Sequence, residues 1–225
     1  MTKAPIAVAL DGPDLATIRG WADAVAPHVS TLKVGLETFL RDGAAAIDVV
    51  NASGCQLFLD LKLHDIPNTV GGAARSIAHF SPTYLTVHAL GGADMIAAAV
   101  QVLPNTRVTA VTILTSMDET ALRSIGIDDS ALDAAVRLAK LAVSAGAGAI
   151  VCSPREVAAI RAVVPADIHL ITPGVRPAGA DAGDQKRIAT PEQAIADGAD
   201  VVVIGRPITA AADPGAAAAT IGESL

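Results

Sequence analysis

Acidic and basic side chains alternate within one short segment, DLKLHD at residues 60–65. If this segment is a strand, Asp60 and Lys62 project to the same face, because side chains alternate along a strand with a period of two. Charges on a buried face cost free energy unless they are paired or functional. A fixed ammonium beside carboxylates can stabilise a developing negative charge and then donate a proton to it. The segment therefore predicts electrostatic and acid–base chemistry.

The order of apolar runs along the chain indicates how these charges are positioned. Short, near-continuous apolar runs alternate with stretches of helical periodicity, which is typical of parallel strands buried on both faces. This alternation in 225 residues predicts a single α/β domain over residues 1–225, a (β/α)8 TIM barrel. The predicted strands are Ile6–Leu10, Thr31–Val34, Gln56–Lys62, Tyr84–His88, Val108–Leu114, Ala149–Cys152, Ile168–Ile171 and Val201–Ile204.

An open, doubly wound sheet is the alternative architecture. Such sheets usually carry a G-x-G-x-x-G loop after the first strand, whereas this chain has LDGP at residues 10–13. Helices are predicted at Leu15–Val29, Ala131–Ala145 and Pro154–Val163, with a further helix starting at Thr190-Pro191. The alanine run 216–219 is expected to belong to a C-terminal helix.

Composition excludes several classes of function. Hydrophobic residues make up 52% of the chain, which excludes a disordered protein, and 16 basic against 23 acidic residues give a net charge of −7. That charge argues against binding to nucleic acid or to an anionic membrane, and 2% aromatic residues leave few platforms for base stacking. No targeting or membrane segment is predicted, and Cys55 and Cys152 are expected to be buried thiols in a reducing cytoplasm.

The ends of the predicted strands carry further polar residues. In a barrel of this kind, chemistry gathers at the carboxyl ends of the strands. Asp11 and Lys33, from the first two strands, should therefore reach the same mouth as Asp60 and Lys62, with Asp65 close by in the following loop. A buried ion-pair network that only fixes strand register is the alternative, but several alternating charges at one mouth favour a functional site.

The far end of the chain predicts an anion site. Gly205-Arg206 follows the eighth strand, and the loops after strands seven and eight are the usual phosphate site of this fold. The polar loop at residues 176–187 suits a lid in which Gln185 could close on a bound anion; a solvated surface loop is the alternative. His64 is expected to pack or cap, and His88 to be a satisfied histidine of the barrel core.

Several motifs together resemble one family, the orotidine 5′-phosphate decarboxylases, which convert orotidine 5′-phosphate (OMP) to UMP. The most specific is DLKLHDIPNT at residues 60–69. Shorter matches occur in family order over nearly the whole chain: VALD at 8–11, LKVG at 32–35, LTS at 114–116, TPGVRP at 172–177, GDQ at 183–185 and VIGRP at 203–207.

The resemblance implies roles for particular residues. Lys62 would donate the proton to C6 of the pyrimidine, within a charge network completed by Lys33, Asp60 and Asp65. Asp65 and Thr69 would come from the partner subunit of a homodimer, so that the active site is shared. The resemblance also implies substrate contacts: Asp11 and Lys33 at the ribose, Thr115 or Ser116 at the pyrimidine, and Arg176, Gln185, Gly205 and Arg206 at the 5′-phosphate. It implies no cofactor and no metal ion.

Three other functions compete with this hypothesis. Related phosphosugar decarboxylases and aldolases hold Mg²⁺ with carboxylates, one of them on the second strand, where this chain has the cation Lys33. A Schiff-base aldolase needs a neutral lysine, whereas Lys62 has carboxylate neighbours in the sequence. A non-catalytic phosphoribosyl-binding module is the third, but binding alone does not require alternating lysines and carboxylates.

Overall fold

Eight parallel strands form a closed barrel in chain order in the computed structural model, which describes residues 3–175 and 189–225. The predicted (β/α)8 architecture is therefore confirmed. The strands are β1 Ala4–Ala9, β2 Val29–Gly35, β3 Gln56–Leu63, β4 Tyr84–His88, β5 Arg107–Val111, β6 Ala149–Val151, β7 His169–Thr172 and β8 Val201–Ile204.

Helices follow the strands and form the outer layer. Among the described residues they are α1 Leu15–Val25, α2 Leu36–Asp42, α3 Ala44–Ser53, α4 Pro67–Ile77, α5 Ala93–Val102, α6 Glu119–Ser124, α7 Ala131–Ser144, α8 Val157–Arg161, α9 Pro191–Ala196, α10 Arg206–Thr209 and α11 Pro214–Glu223. Short 3₁₀ turns at Ala78–Phe80 and Ala89–Gly91 flank β4. No described helix has the length and apolar character needed to cross a bilayer.

Local sequence signals explain where several elements begin and end. Thr190 caps α9 by accepting a hydrogen bond from the Gln193 N–H at 3.2 Å, with Pro191 in the first turn, as predicted. The prediction for α8 is wrong at its start: the Glu156 N–H donates to the Ser153 carbonyl at 2.9 Å, so residues 154–156 form a turn before the helix begins at Val157.

Two other predicted elements are too long. The α1 helix ends four residues earlier than predicted, since Pro27 has no backbone N–H with which to continue the hydrogen bonds of the helix. The β5 strand ends at Val111 rather than Leu114, and the chain turns before Met117, whose N–H donates to the Leu114 carbonyl. Both shifts leave the order of strands and helices unchanged.

Two apolar layers hold the barrel together. Between strands and helices, one continuous core includes Ile6, Leu32, Leu59 and Leu85, all fully buried. Inside the barrel, a smaller cluster fills the lower part. In that cluster the Phe58 and Tyr84 rings meet edge to face, with centroids 5.5 Å apart. This packing closes the barrel from below and leaves the carboxyl ends of the strands open.

Candidate active site

A cavity of about 610 Å³ opens at the carboxyl ends of the strands, a volume in the range of small-molecule sites. Its floor is apolar, because Phe58 and the valines of β5, β6 and β8 project inward. Its polar wall contains the residues predicted from strand ends: Asp11, Lys33, Asp60, Lys62, Thr115, Ser116, Gly205 and Arg206. The structure therefore brings these eight residues together around one cavity.

Four charged side chains form an alternating chain along one wall of the cavity. The Lys33 Nζ lies 3.7 Å from the Asp11 Oδ2 and 3.4 Å from the Asp60 Oδ2. The other oxygen of Asp60, Oδ1, accepts a hydrogen bond from the Lys62 Nζ at 2.8 Å. Asp60 thus uses one carboxylate oxygen for each lysine, and the order Asp11–Lys33–Asp60–Lys62 alternates in sign.

Burial makes the Asp60 carboxylate the electrostatic centre of these four charged side chains. Its side chain is only 13% exposed, and that burial by itself raises its pKa. The ammoniums of Lys33 and Lys62, with hydrogen bonds from Lys62 and Thr86, outweigh the burial and hold the pKa of Asp60 below its ordinary value. The Asp60 carboxylate is therefore ionised at neutral pH.

Lys62 combines a fixed position with spare hydrogen-bonding capacity. Its side chain is one-third exposed in the cavity wall, and Asp60 is its sole hydrogen-bond partner among the described side chains. An ammonium has three N–H donors, so the others remain for a bound ligand. The backbone of Lys62 has φ +46°, in the left-handed region that a lysine adopts only at a cost of about 1–3 kcal/mol.

The strand that carries Asp60 and Lys62 is not regular. The pairing of β3 with β4 shifts register between Leu59 and Leu63. The sequence predicts the two charges on one face by simple alternation; the structure brings them together at an irregularity in the strand. Leu61 and Leu63 pack against the outer core, as predicted.

Asp65 and Thr69 lie outside this wall in their own chain. Residues 64–69 are all exposed, and the Asp65 Oδ1 accepts the N–H of the next residue, Ile66, at 2.6 Å. Asp65 forms no ion pair with a described residue, so it does not take the expected place beside Lys33 and Lys62 of the same chain. The reason is that the chain leaves the barrel mouth after Leu63 and starts α4 at Pro67.

Other predicted residues stand apart from the cavity or outside the described part of the chain. His64 is exposed and stacks on His88, with ring centroids 5.3 Å apart. His88 is half-buried at the end of β4 rather than in the core, and its Nδ1 accepts the Leu90 N–H at 3.3 Å. Burial, together with the charges of His64 and Lys62, lowers the pKa of His88 to about 4. Arg176 and Gln185 lie outside the described residues.

Two residues that the sequence analysis does not predict support the charged wall, which consists of the side chains of Asp11, Lys33, Asp60 and Lys62. Thr86, on β4, bonds to both Asp60 and Lys62. Gly35, at the end of β2, leaves room for the ion pair beside it: a Cβ there would lie 2.9 Å from both the Lys33 Nζ and the Asp11 Oδ1. Inward alternation on β4 could have indicated Thr86, because it lies two residues from Tyr84.

The comparisons with known proteins agree with this geometry. The family model described as orotidine 5′-phosphate decarboxylase / HUMPS family matches residues 4–221. The chain belongs to this family.

Named relatives of the family are similar over nearly the whole chain. Orotidine 5′-phosphate decarboxylase of Thermobifida fusca (strain YX) is 64% identical over 223 residues, which cover 99% of this chain and 96% of that protein. The enzyme of Frankia casuarinae is 52% identical, covering 99% of this chain and 88% of that protein. The crystal structure of orotidine 5′-phosphate decarboxylase from Lactobacillus acidophilus superposes with a TM-score of 0.85 at 35% identity, over 99% of both chains.

The cavity of this family member does not favour a magnesium-dependent reaction. Both carboxylates next to Lys33, those of Asp11 and Asp60, are ion-paired with its ammonium. A divalent cation between them would be repelled by that ammonium. In the described ranges 3–175 and 189–225, no three histidine, cysteine or acidic side chains are grouped so that they could hold a metal ion.

Gly35 gives a direct test of how tightly the charged wall is arranged. We expect Gly35→Ala to lower kcat/KM about tenfold to a hundredfold, because the new methyl displaces the Lys33 and Asp11 head groups. The free energy of unfolding should change by only about 1 kcal/mol, since the displaced atoms end flexible side chains and the backbone φ of −93° suits alanine.

The matched control is Gly20→Ala in α1, where no atom lies within 4 Å of the added methyl. Steady-state kinetics and urea unfolding on both variants separate the two effects. Full activity in Gly35→Ala, or a loss explained by unfolding alone, would show that the position of these head groups does not limit the reaction.

Proposed function

We propose that this protein decarboxylates OMP to UMP without a metal ion or organic cofactor, as a step of pyrimidine biosynthesis. The observation that carries the proposal is the chain Asp11–Lys33–Asp60–Lys62 on the wall of a cavity that a nucleotide can enter. Membership of the family and relatives of that name support it. A cytoplasmic location remains a prediction from the sequence.

The chemical difficulty of this reaction explains the charged wall. When the C6 carboxylate leaves as CO₂, the electron pair of the broken bond stays on C6 in the plane of the ring, where the π system cannot delocalise it. An ammonium fixed beside C6 lowers the energy of that pair and then donates a proton to it. Lys62 has the position, the remaining N–H donors and the exposure for both steps.

Asp60 has two functions in this mechanism. It orients Lys62 through the 2.8 Å hydrogen bond and Lys33 through the 3.4 Å contact, so little reorganisation is needed when charge develops on C6. It also places a negative charge near the departing carboxylate, whose own charge disappears as CO₂ forms. Repulsion in the ground state is the secondary contribution, because orientation follows directly from the observed contacts.

The rest of the cavity matches the other parts of the nucleotide. The apolar floor around Phe58 and the side chains of Thr115 and Ser116 suit the flat, polar-edged pyrimidine. Asp11 and Lys33 offer an acceptor and donors to the ribose hydroxyls.

The rim of the cavity at the end of β8 suits the 5′-phosphate. Gly205 and Arg206 both line the cavity at the end of β8. A guanidinium binds phosphate oxygens through paired N–H donors, which gives both affinity and orientation. Arg176 and Gln185 are the further phosphate ligands that the family resemblance implies, and they lie outside the described residues.

We also propose a homodimer in which each cavity is completed by Asp65 and Thr69 of the partner chain. In one chain these residues are exposed and lie outside the cavity wall. Ile66, between them, is 64% exposed and offers an apolar side chain that a partner surface could cover. A partner that covers this segment would bring a second carboxylate towards Lys62 and extend the alternation of charge.

The first test of the proposed function is Lys62→Ala in an OMP absorbance assay containing chelator. We expect kcat to fall by many orders of magnitude, because both the stabilising charge and the proton donor are lost, while UMP still binds measurably. Lys140→Ala removes an exposed lysine of α7 and should leave kcat unchanged. Activity of Lys62→Ala within about tenfold of wild type, about 1.4 kcal/mol of barrier, would remove Lys62 as the acid.

The second test addresses the phosphate. We expect Arg206→Ala to weaken UMP binding about tenfold or more, the cost of a hydrogen-bonded charge partner, and to leave uridine binding nearly unchanged. Isothermal titration with both ligands measures the difference. Arg137→Ala, which breaks an exposed ion pair with Asp129, is the control. Equal losses for UMP and uridine would refute the phosphate assignment.

The third test addresses the shared site. In a mixed dimer of Lys62→Ala and Asp65→Ala chains, one cavity contains both intact residues and the other contains neither. Random pairing of two inactive variants should therefore restore about a quarter of wild-type activity. Activity is measured after mixing, with subunit exchange followed by differently tagged chains. No recovery despite exchange, or full activity of Asp65→Ala alone, would contradict the shared site.

A further inference from the structure

The hydroxyl of Thr86 lies behind the charged wall and contacts both of its β3 residues. Thr86 is fully buried on β4 and is not among the residues lining the cavity. Its Oγ1 accepts the backbone N–H of Lys62 at 2.7 Å and donates to the Asp60 Oδ1 at 2.9 Å. A threonine hydroxyl has one proton and two lone pairs, so both bonds can form together.

The bond to the Lys62 N–H occurs where β3 departs from regular pairing. Between Leu59 and Leu63 the register with β4 shifts, and Lys62 has a positive φ of +46°. The Thr86 hydroxyl takes the Lys62 N–H as its hydrogen-bond partner there. A backbone conformation of this cost persists only where the surroundings determine it. Thr86 supplies one such constraint through its hydroxyl.

The hydrogen bond from Thr86 to Asp60 is made to the same carboxylate oxygen that accepts a hydrogen bond from the Lys62 ammonium. The Asp60 Oδ1 accepts from both Thr86 and the Lys62 Nζ, at 2.9 and 2.8 Å. The same hydroxyl therefore fixes the backbone from which the Lys62 side chain starts and the carboxylate at which it ends.

We propose that Thr86 is a positioning residue for the decarboxylation. Its hydroxyl fixes the position of the Lys62 ammonium relative to the Asp60 carboxylate at the irregularity in β3. The inference rests on the proposed function of Lys62. Thr86 acts through these two residues and does not contact the substrate. Its loss shifts the ammonium relative to C6, and such a shift lowers the rate of the chemical step more than the affinity for the nucleotide.

The neighbouring strand offers a matched control. Thr109 pairs directly with Thr86 in the β4–β5 register, and it is also fully buried. Its hydroxyl donates to the Arg107 carbonyl of its own strand at 2.8 Å. Thr109→Val and Thr86→Val therefore make the same chemical change at adjacent, equally buried positions, but only Thr86→Val removes contacts to the charged pair.

The experiment measures kcat, KM, UMP affinity and urea unfolding for Thr86→Val, Thr86→Ser and Thr109→Val. We expect Thr86→Val to lower kcat about tenfold to a hundredfold, with UMP affinity within about threefold of wild type. Thr86→Ser restores the hydroxyl and should recover kcat to within about threefold, and Thr109→Val should retain it. Should Thr86→Val not fold, Thr86→Ala and Thr109→Ala replace the valine pair under the same criteria.

Three results would overturn the inference: kcat of Thr86→Val within about threefold of wild type, an equal loss in Thr109→Val, or no recovery in Thr86→Ser. Wild-type turnover of OMP separates this inference from the proposed function. An inactive wild-type enzyme would refute the function itself, whereas an active wild type with an unaffected Thr86→Val refutes only the role of Thr86.

Discussion

The contact of one buried carboxylate with two ammonium groups is the interaction on which the rest of the site depends. Removing a charge from water is costly, and a single lysine–aspartate pair recovers that cost only with good geometry. Here the Asp60 carboxylate has Lys33 on one oxygen and Lys62 on the other, at 3.4 and 2.8 Å. The barrel therefore fixes the positions of these three charged groups before substrate binds.

The barrel provides this arrangement because its strands are parallel and end at one mouth. The charges come from the first three strands, whereas Gly205 and Arg206 follow the eighth, which pairs with β1 and closes the ring. In the proposed reaction, phosphate binding at Arg206 and chemistry at Lys62 thus involve separate elements. Free energy gained at a non-reacting phosphate can then be used to hold the reacting carbon against the ammonium.

Much of this could be predicted from the sequence, since periodicity and strand ends are local signals. The eight-stranded barrel and the presence of Asp11, Lys33, Asp60 and Lys62 at one mouth could be predicted from strand order and strand ends. The register shift in β3 could not be predicted, because it involves the pairing with β4 and Thr86, distant in sequence. The predicted start of α8 is three residues too early, because the chain first forms a turn closed by the bond from the Glu156 N–H to the Ser153 carbonyl.

The proposed role of a preorganised ammonium at C6 is tested by the reverse of the protonation step, the removal of the C6 proton from UMP. If Lys62 protonates that carbon during decarboxylation, the enzyme must also remove the C6 proton of UMP at some rate. Nuclear magnetic resonance of UMP in D₂O with chelator measures this exchange. We expect enzyme-dependent loss of the C6 proton signal, and Lys62→Ala should abolish that loss. Exchange no faster than in buffer, or equally fast in Lys62→Ala, would refute the role of the Lys62 ammonium.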